Sequence, residues 1–380
     1  MKTLGEIFEI VSGGTPSKSH PEYYDGNIPW VKTGDLKDEY LYSVEDCISE
    51  EGLNNSSAKM YPSGTVLIAM YGATIGATSI LKFDACTNQA CAAFKPCEEV
   101  LPEYLYFFLR SKKQKFISDG VGGAQPNISA GYLKKVSIDI RNIKEQEKIV
   151  TVLDKLNGII QKRQKEIDEL NELIKARFVE TFGDPVSPTN EQKADLEEIC
   201  EKITDGEHGS VTRISEGHPF LNAKHILKNG QIDWNTITFI GDDDHKRIYK
   251  RCNPEEGDIL LTTTGTIGNV AIMPVHEEVS MDRGITLLKI DHKKVTSEFV
   301  AELLKQPSVQ AEMGVNVHAS AIGHLFMNKV KKLPAIIPSM DKQIEFTDFV
   351  KQADKSKVAV QKALDETRTL FDSLMQEYFG

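Results

Sequence analysis

Apolar residues are spaced in two ways along this chain of 380 residues. Over 146–182, Ile149, Leu153, Leu156, Ile160, Ile167, Leu170 and Ile174 recur mostly at every third or fourth position. Over 343–379, Phe346, Val350, Ala353, Val360, Leu364, Phe371 and Leu374 do the same. This spacing keeps one stripe of a helix apolar, and sustained over several turns it is the heptad of a coiled coil. Arg163, Arg177, Lys357 and Thr367 interrupt the two seams, and Gly158 weakens the first helix locally. Elsewhere the apolar runs are short. Those at 66–70 and 258–263 each follow a turn-forming glycine and read as strands, 102–111 and 297–305 suit short helices, and VSIDI (136–140) and LPAII (333–337) suit closing strands.

The blocks repeat one plan. GTVLIAMYGATIGATSI (64–80) and GDILLTTTGTIGNVAI (257–272) are nearly the same phrase. Moving the second half back by 192 residues lays LEEICEKITDG (196–206) on LGEIFEIVSGG (4–14), pairing Gly206 with Gly14, and a shift of 190 lays HPFLNAKHI (218–226) on IPWVKTGDL (28–36). RGITLLKI (283–290) falls on QACAAFKP (89–96). From Gln146 the offset is a constant 197, so FVETFG (178–183) meets MQEYFG (375–380). The expected architecture is α+β in tandem: mixed blocks at 1–144 and 196–341, long helices at 145–183 and 342–380, and a Pro-containing polar linker at 184–195 that lets the second helix fold back antiparallel on the first.

Composition narrows the chemistry. The net charge of −11 opposes indiscriminate binding to nucleic acid, which basic surface drives, and no block is basic, so any DNA contact is confined to particular loops. No apolar run is long enough to cross a bilayer, and MKTLGEIFEI has acids where a signal peptide needs a basic start, so a cytoplasmic chain without membrane contact is expected. The six cysteines form no CxxC pair and the nine histidines lack ligand spacing, so no metal is expected. No dinucleotide GxGxxG follows a strand, no GxxxxGK[ST] occurs, and the Asn/Asp-Pro-Pro-aromatic loop of an amino-methyltransferase is missing. Glu191-Gln192-Lys193 has nuclease-like ExK form, but such a triplet arises by chance in a chain with 27% charged residues, and this one falls in the linker. A non-catalytic chain with no cofactor of its own is expected.

The polar loops carry the remaining signal. In the first half, SGGTPSKSHPEYYDGN (12–27) offers Thr15, Ser17 and Lys18; VKTGDL (31–36) offers Lys32 and Thr33; Tyr71 lies in the repeated phrase; and VGGAQPNIS (121–129) offers Gln125 and Asn127. Their counterparts offer His208 and Arg213 in TDGEHGSVTR, Lys224 and His225 in NAKHIL, Thr264 in the repeated phrase, Arg283 after it, and His318 and Ser320 in NVHASAIGH. Glycine-rich backbone approaches phosphates through N–H groups, while Lys, Arg, Thr, Gln and Asn read base edges. Between the copies the turn-shaping residues recur and the loop tips do not, as expected of one scaffold reading two targets and equally of ordinary drift.

With LGEIFEIVSGGTPS, IPWVKTGDL, GTVLIAMYGATIGATSI, GGAQPNIS and VSIDIRNIKEQEKIV in this order and duplicated, the whole chain resembles the specificity (S) subunit of type I restriction–modification systems. The resemblance implies two target recognition domains, each reading half of a bipartite double-stranded DNA target. It implies that the helices form an antiparallel coiled coil that sets the spacing of the halves and docks two modification (methyltransferase) subunits. Those subunits bind S-adenosylmethionine and methylate adenine, and a restriction subunit joins them. A helix of this length spans roughly 55 Å, against ~34 Å for a turn of DNA. DIRN replaces the proline-rich end of the first closing strand, and TDGEHGS lacks the TPS turn. The alternative is a coiled-coil interaction scaffold without DNA readout, which the acidic charge favours and the polar glycine loops oppose.

Overall fold

The repeated phrase becomes the centre of a sheet in each half. Val66–Ala69 and Ile259–Thr262 are buried along their whole length, so the alternation of a one-sided strand is absent and the run is continuously apolar. Gly64 and Gly257 both turn into these strands at φ +86°, a left-handed conformation that a Cβ would strain. The computed structural model describes residues 1–120, 127–189, 191–315 and 323–380.

The chain divides into two units, one made of Met1–Gln164 with Lys362–Gly380 and the other of Lys165–Gln361. In the first, a sheet runs in the order Ile10–Ser12, Cys91–Phe94, Val66–Ala69, Thr78–Leu81, Tyr40–Leu41. Its neighbours are antiparallel except at the Tyr40–Leu41 edge. In the second, Cys200–Asp205, Ile285–Ile290, Ile259–Thr262 and Val270–Ile272 take the same order. Beside each lies a smaller sheet, built around Ile28–Val31 in one unit and His218–Leu221 in the other. Helices Pro102–Ser111 and Ser297–Leu304 contribute six and seven buried residues to the two units.

The closing strands are short. Ser137–Ile138 pairs with Lys2–Thr3, and Pro334–Ile337 pairs with Gln192–Asp195. The second pairing corrects the linker: its last four residues are a strand, because Ala194 turns into the core while the backbone completes the ladder with 334–337. Glu191, one residue earlier, is tied to Lys342 at 2.6 Å, so the ExK triplet is split between an ion pair and a strand.

Two 40-residue helices follow the mixed blocks, α1 at Ile143–Phe182 and α2 at Met340–Phe379. They are not a separate body. Each unit takes the start of one helix and the end of the other. In the first unit, Ile149 and Leu153 share a core with Phe371, Met375 and Phe379. In the second, Ile174, Phe178 and Phe182 share one with Phe346, Val350 and Ala353. Leu364 is fully buried, whereas Leu156, Ile160, Ile167, Leu170, Val360 and Leu374 are half-buried. The polar interruptions find partners along the seam. Arg163 donates to Thr367 Oγ1 and to the Ala363 carbonyl, and Lys357 donates to Asn171 at 3.0 Å. Charged groups on a seam are costly to bury unless paired, so such contacts fix one register of the helices.

Candidate nucleic-acid interface

In the first unit backbone hydrogen bonds lace several loops together. Gly14 N–H donates to Thr87 O (2.9 Å) and Gly13 N–H to Cys91 O (3.2 Å). A Cβ on Gly13 would lie 2.1 Å from Thr87 O, so only glycine lets this loop approach. Asn88 N–H donates to Val31 O (2.9 Å), which places 87–90 beside Lys32 and Thr33. Met70 N–H donates to Ala90 O (2.8 Å) and Ile128 N–H to Met70 O (3.0 Å), and Tyr71 bridges Asn127.

The second unit repeats this lacing. Glu207 N–H donates to Met281 O (2.8 Å), Asp282 N–H to Leu221 O (3.0 Å), Thr263 N–H to Gly284 O (2.8 Å) and Leu325 N–H to Thr263 O (2.9 Å), with Thr264 bridged to His324. A Cβ on Gly206 would lie 2.2 Å from Met281 O. The counterpart of Gly206 is therefore Gly13, not Gly14. A β-bulge between Cys200 and Lys202 inserts one residue in the second copy and changes the offset there.

The candidate side chains fall into distinct situations. Ser17, Lys18, Asn127, His208, Arg213, Lys224 and Arg283 are exposed, as is Tyr71. Thr15 is half-buried and donates its hydroxyl to Gln89 Oε1. Ser17 Oγ lies 2.7 Å from Ser19 Oγ. Lys32 is engaged, with Asp46 at 2.6 Å and its ammonium 5.2 Å from the Trp30 ring centre, and Thr33 opens the short 3-10 turn after it. Thr264 Oγ1 lies 2.7 Å from His324 Nδ1. His208 lies 2.6 Å from Asp205, and the Arg213 guanidinium covers the Phe220 ring at 3.9 Å. Gln125, His318 and Ser320 lie outside the described residues.

His225 is not a surface contact. It is fully buried, with Nδ1 accepting from Asn222 N–H (3.1 Å) and Nε2 donating to the Thr236 carbonyl (3.2 Å). Burial holds its pKa below the ordinary value and keeps the ring neutral, so it braces the 222–225 turn from within. Sequence reasoning passed over Asn88 and Gln89, which stand on the turn that the other loops grip. Their signal was the register of 89–96 on 283–290, which sets Gln89 on Arg283.

Burial pushes the Cys86, Cys91, Cys200 and Cys252 thiols up to about 12. Among the described residues no group of His, Cys, Asp and Glu is placed to hold a metal ion, and no helix is long and apolar enough to cross a membrane. What the loops offer is exposed donors and acceptors on a rigid backbone, which suits recognition.

The comparisons with known proteins agree with this reading of the fold. The sequence matches the family model described as the type I restriction modification DNA specificity domain over residues 1–172 and again over 200–367. It is 30% identical over 251 residues to the type I restriction enzyme MjaIX specificity subunit of Methanocaldococcus jannaschii, an alignment spanning 60% of this chain and 58% of that protein. It is 31% identical over 190 residues to the EcoR124I/EcoR124II specificity subunit of Escherichia coli, spanning 46% and 47%. The chain thus spans about half the length of these curated relatives. In fold it resembles the type I restriction-modification S subunit of M. genitalium, at TM-score 0.55 and 16% identity over 100% of this chain and 95% of that one. It also resembles a chain from a structure described as the basis of complex assembly and conformational transition of the type I R-M system, at TM-score 0.58 and 15% identity over 99% and 96%. With the family's domain present in two copies on one repeated scaffold, the chain belongs to the type I restriction modification DNA specificity family.

Proposed function

We propose that this chain is the non-catalytic specificity subunit of a type I restriction–modification complex. Each unit reads one half of a bipartite double-stranded DNA target through its laced loops. The helices α1 and α2 dock two modification subunits, which carry S-adenosylmethionine and methylate adenine, and a restriction subunit joins them. The observation that supports this reading most is the pair of loop clusters, held by the same backbone hydrogen bonds but tipped with different side chains. A scaffold without DNA readout has no need of that difference.

Fluorescence anisotropy of the full chain with random duplexes, at about 50 and 200 mM salt, tests the DNA role. Binding that weakens steeply with salt is expected, because each neutralised phosphate releases counterions. No binding at the lower salt would leave the scaffold reading standing. The ruler role of the helices is tested separately by adding four residues after Gln164 and four after Gln361, at the border between the units, so that each unit keeps its own contacts. Each helix grows by about 6 Å, close to two base pairs at ~3.4 Å each. Methylome sequencing should then show a target whose spacer is longer by about two base pairs with both halves unchanged. Normal activity at the old spacer would mean that the helices are not the ruler.

A further inference from the structure

The turn that Asn88 and Gln89 make in the first unit is built again in the second, where Arg283 N–H adds one bond to Glu207 O at 3.0 Å. Asn88 N–H donates to Val31 O at 2.9 Å, and Asp282 N–H to Leu221 O at 3.0 Å. Ala90 N–H donates to Asn88 Oδ1 at 3.1 Å, and Gly284 N–H to Asp282 Oδ1 at 2.8 Å. Cys91 N–H donates to Asn88 O and Ile285 N–H to Asp282 O, each at 3.2 Å. Met70 N–H donates to Ala90 O and Thr263 N–H to Gly284 O, each at 2.8 Å. An Asx side chain closing onto the backbone two residues on is a rigid turn, and it leaves one residue at the tip. That residue is Gln89 in one unit and Arg283 in the other, both exposed.

The four shared bonds hold the tip residue at the same place in both turns, so a difference in readout at this point falls to its side chain. Thr15 Oγ1 donates to Gln89 Oε1, which fixes the carbonyl end of the amide and leaves its second lone pair and both Nε2 hydrogens for a ligand. One acceptor beside one donor matches N6–H and N7 of adenine. Arg283 offers donors only, and among the described residues it pairs with no carboxylate. Asp282 beside it accepts the Gly284 N–H on one oxygen, Oδ1. A guanidinium fork with two parallel donors matches O6 and N7 of guanine.

We propose that Gln89 and Arg283 are equivalent specificity-determining residues, Gln89 selecting an adenine in one half of the target and Arg283 a guanine in the other. This rests on the DNA-reading role proposed above and names the base that each unit contacts from its central turn.

The test places Gln89→Arg, Arg283→Gln and a deletion at the chromosomal locus, with the native partners present, and reads each methylome. Deletion should abolish methylation at a bipartite motif. Gln89→Arg should move one position in one half from adenine toward guanine, by roughly 5- to 100-fold in relative methylation, with the other half unchanged. Arg283→Gln should do the reverse in the other half. The half that is not targeted reports that the variant is folded. A motif that the deletion removes but both substitutions leave intact overturns the inference and keeps the DNA role. A deletion that changes no methylated motif removes the DNA role and the inference with it. Should an allele lose methylation altogether, the purified full chain is melted beside the wild type. An unchanged melting temperature supports a lost base contact, and a fall of several degrees counts against it, since the residue then holds the turn.

Discussion

Ile174, Phe178 and Phe182 fill the core of the second unit, and Phe371, Met375 and Phe379, each 197 residues later, fill that of the first. The small sheets share a central strand and its parallel neighbour, Ile28–Val31 with Cys86–Thr87 and His218–Leu221 with Ser280–Met281, but differ in what surrounds them. In the first unit Cys47–Ile48, Ile28–Val31 and Cys86–Thr87 stand beside the helix Glu50–Asn54, with Tyr24 edge-on to Trp30. In the second, four strands stand beside the helix Asp242–Tyr249, where His218 stacks on His245 at 3.7 Å between ring centres. The difference follows from what limits each place. A helix end enclosed by sheet and helices must match a fixed volume, so large apolar residues recur. The small sheets enclose smaller apolar clusters, and their flanking helices, turn residues and charges differ between the two units.

Each unit holds one of the two tryptophans, Trp30 in the first and Trp234 in the second, so their unfolding can be followed apart. The largest break in the comparison comes from Leu364→Asp. Leu364 is fully buried in the first unit, and an unpaired carboxylate there adds desolvation to lost packing. A loss of about 4–5 kcal/mol is expected, seen as a lower urea midpoint for Trp30 in a Trp234→Phe background. Leu170→Asp at a half-buried position of the second unit should cost less than half as much. Equal effects would mean that burial does not rank the seam.

Phe178→Ala and Phe379→Ala come next, at about 3–5 kcal/mol each. Phe178 stacks on Phe299 at 5.5 Å, and Phe379 lies edge-on to Tyr104 at 5.0 Å. Phe178→Ala should move the Trp234 transition and Phe379→Ala the Trp30 transition. If either moves both equally, the units unfold as one.

A smaller effect is particular to the first unit. Glu39, just before the edge strand Tyr40–Leu41, faces Asp154 on α1, and Asn157 donates to it at 3.2 Å. Burial and the Asp154 charge push Glu39 up to about 7, and burial raises Asp154 as well. Between the ordinary carboxyl range and pH 7 the folded unit therefore holds more protons than the unfolded chain, so its stability falls as pH rises through that window. Glu39→Gln should flatten this fall, raising the Trp30 midpoint at pH 8 more than at pH 5. An equal shift at both would remove the proton from the account. The smallest effect is expected of Lys32→Ala, whose half-exposed pair with Asp46 contributes less than about 1 kcal/mol.

Much of the site was legible as loops and little of it as roles. The glycine-rich segments, the repeated phrase and the 87–91 register can all be read from residues 1–141 laid on 193–341. That His225 is buried while the adjoining Lys224 is exposed cannot be read that way, since polar residues in a short turn look alike until the fold assigns their directions. Lys32 looked like a free cation because Asp46 is fourteen residues away and reaches it only through the small sheet.

The amino-acid sequence alone determined the duplication, the α+β plan and the two apolar seams, because period and offset are properties of the chain written in order. The tertiary structure decided which residues share a core. Phe371, Met375 and Phe379 belong with Ile149 and Leu153, and Ile174, Phe178 and Phe182 with Phe346 and Val350, so the first unit is discontinuous in sequence and the second draws on both helices within one continuous stretch. It also decided that Gly13 and not Gly14 answers Gly206, since a bulge at Cys200–Lys202 adds a residue that no spacing rule announces. Burial and register are settled by which surfaces meet, and that depends on segments far apart in the chain.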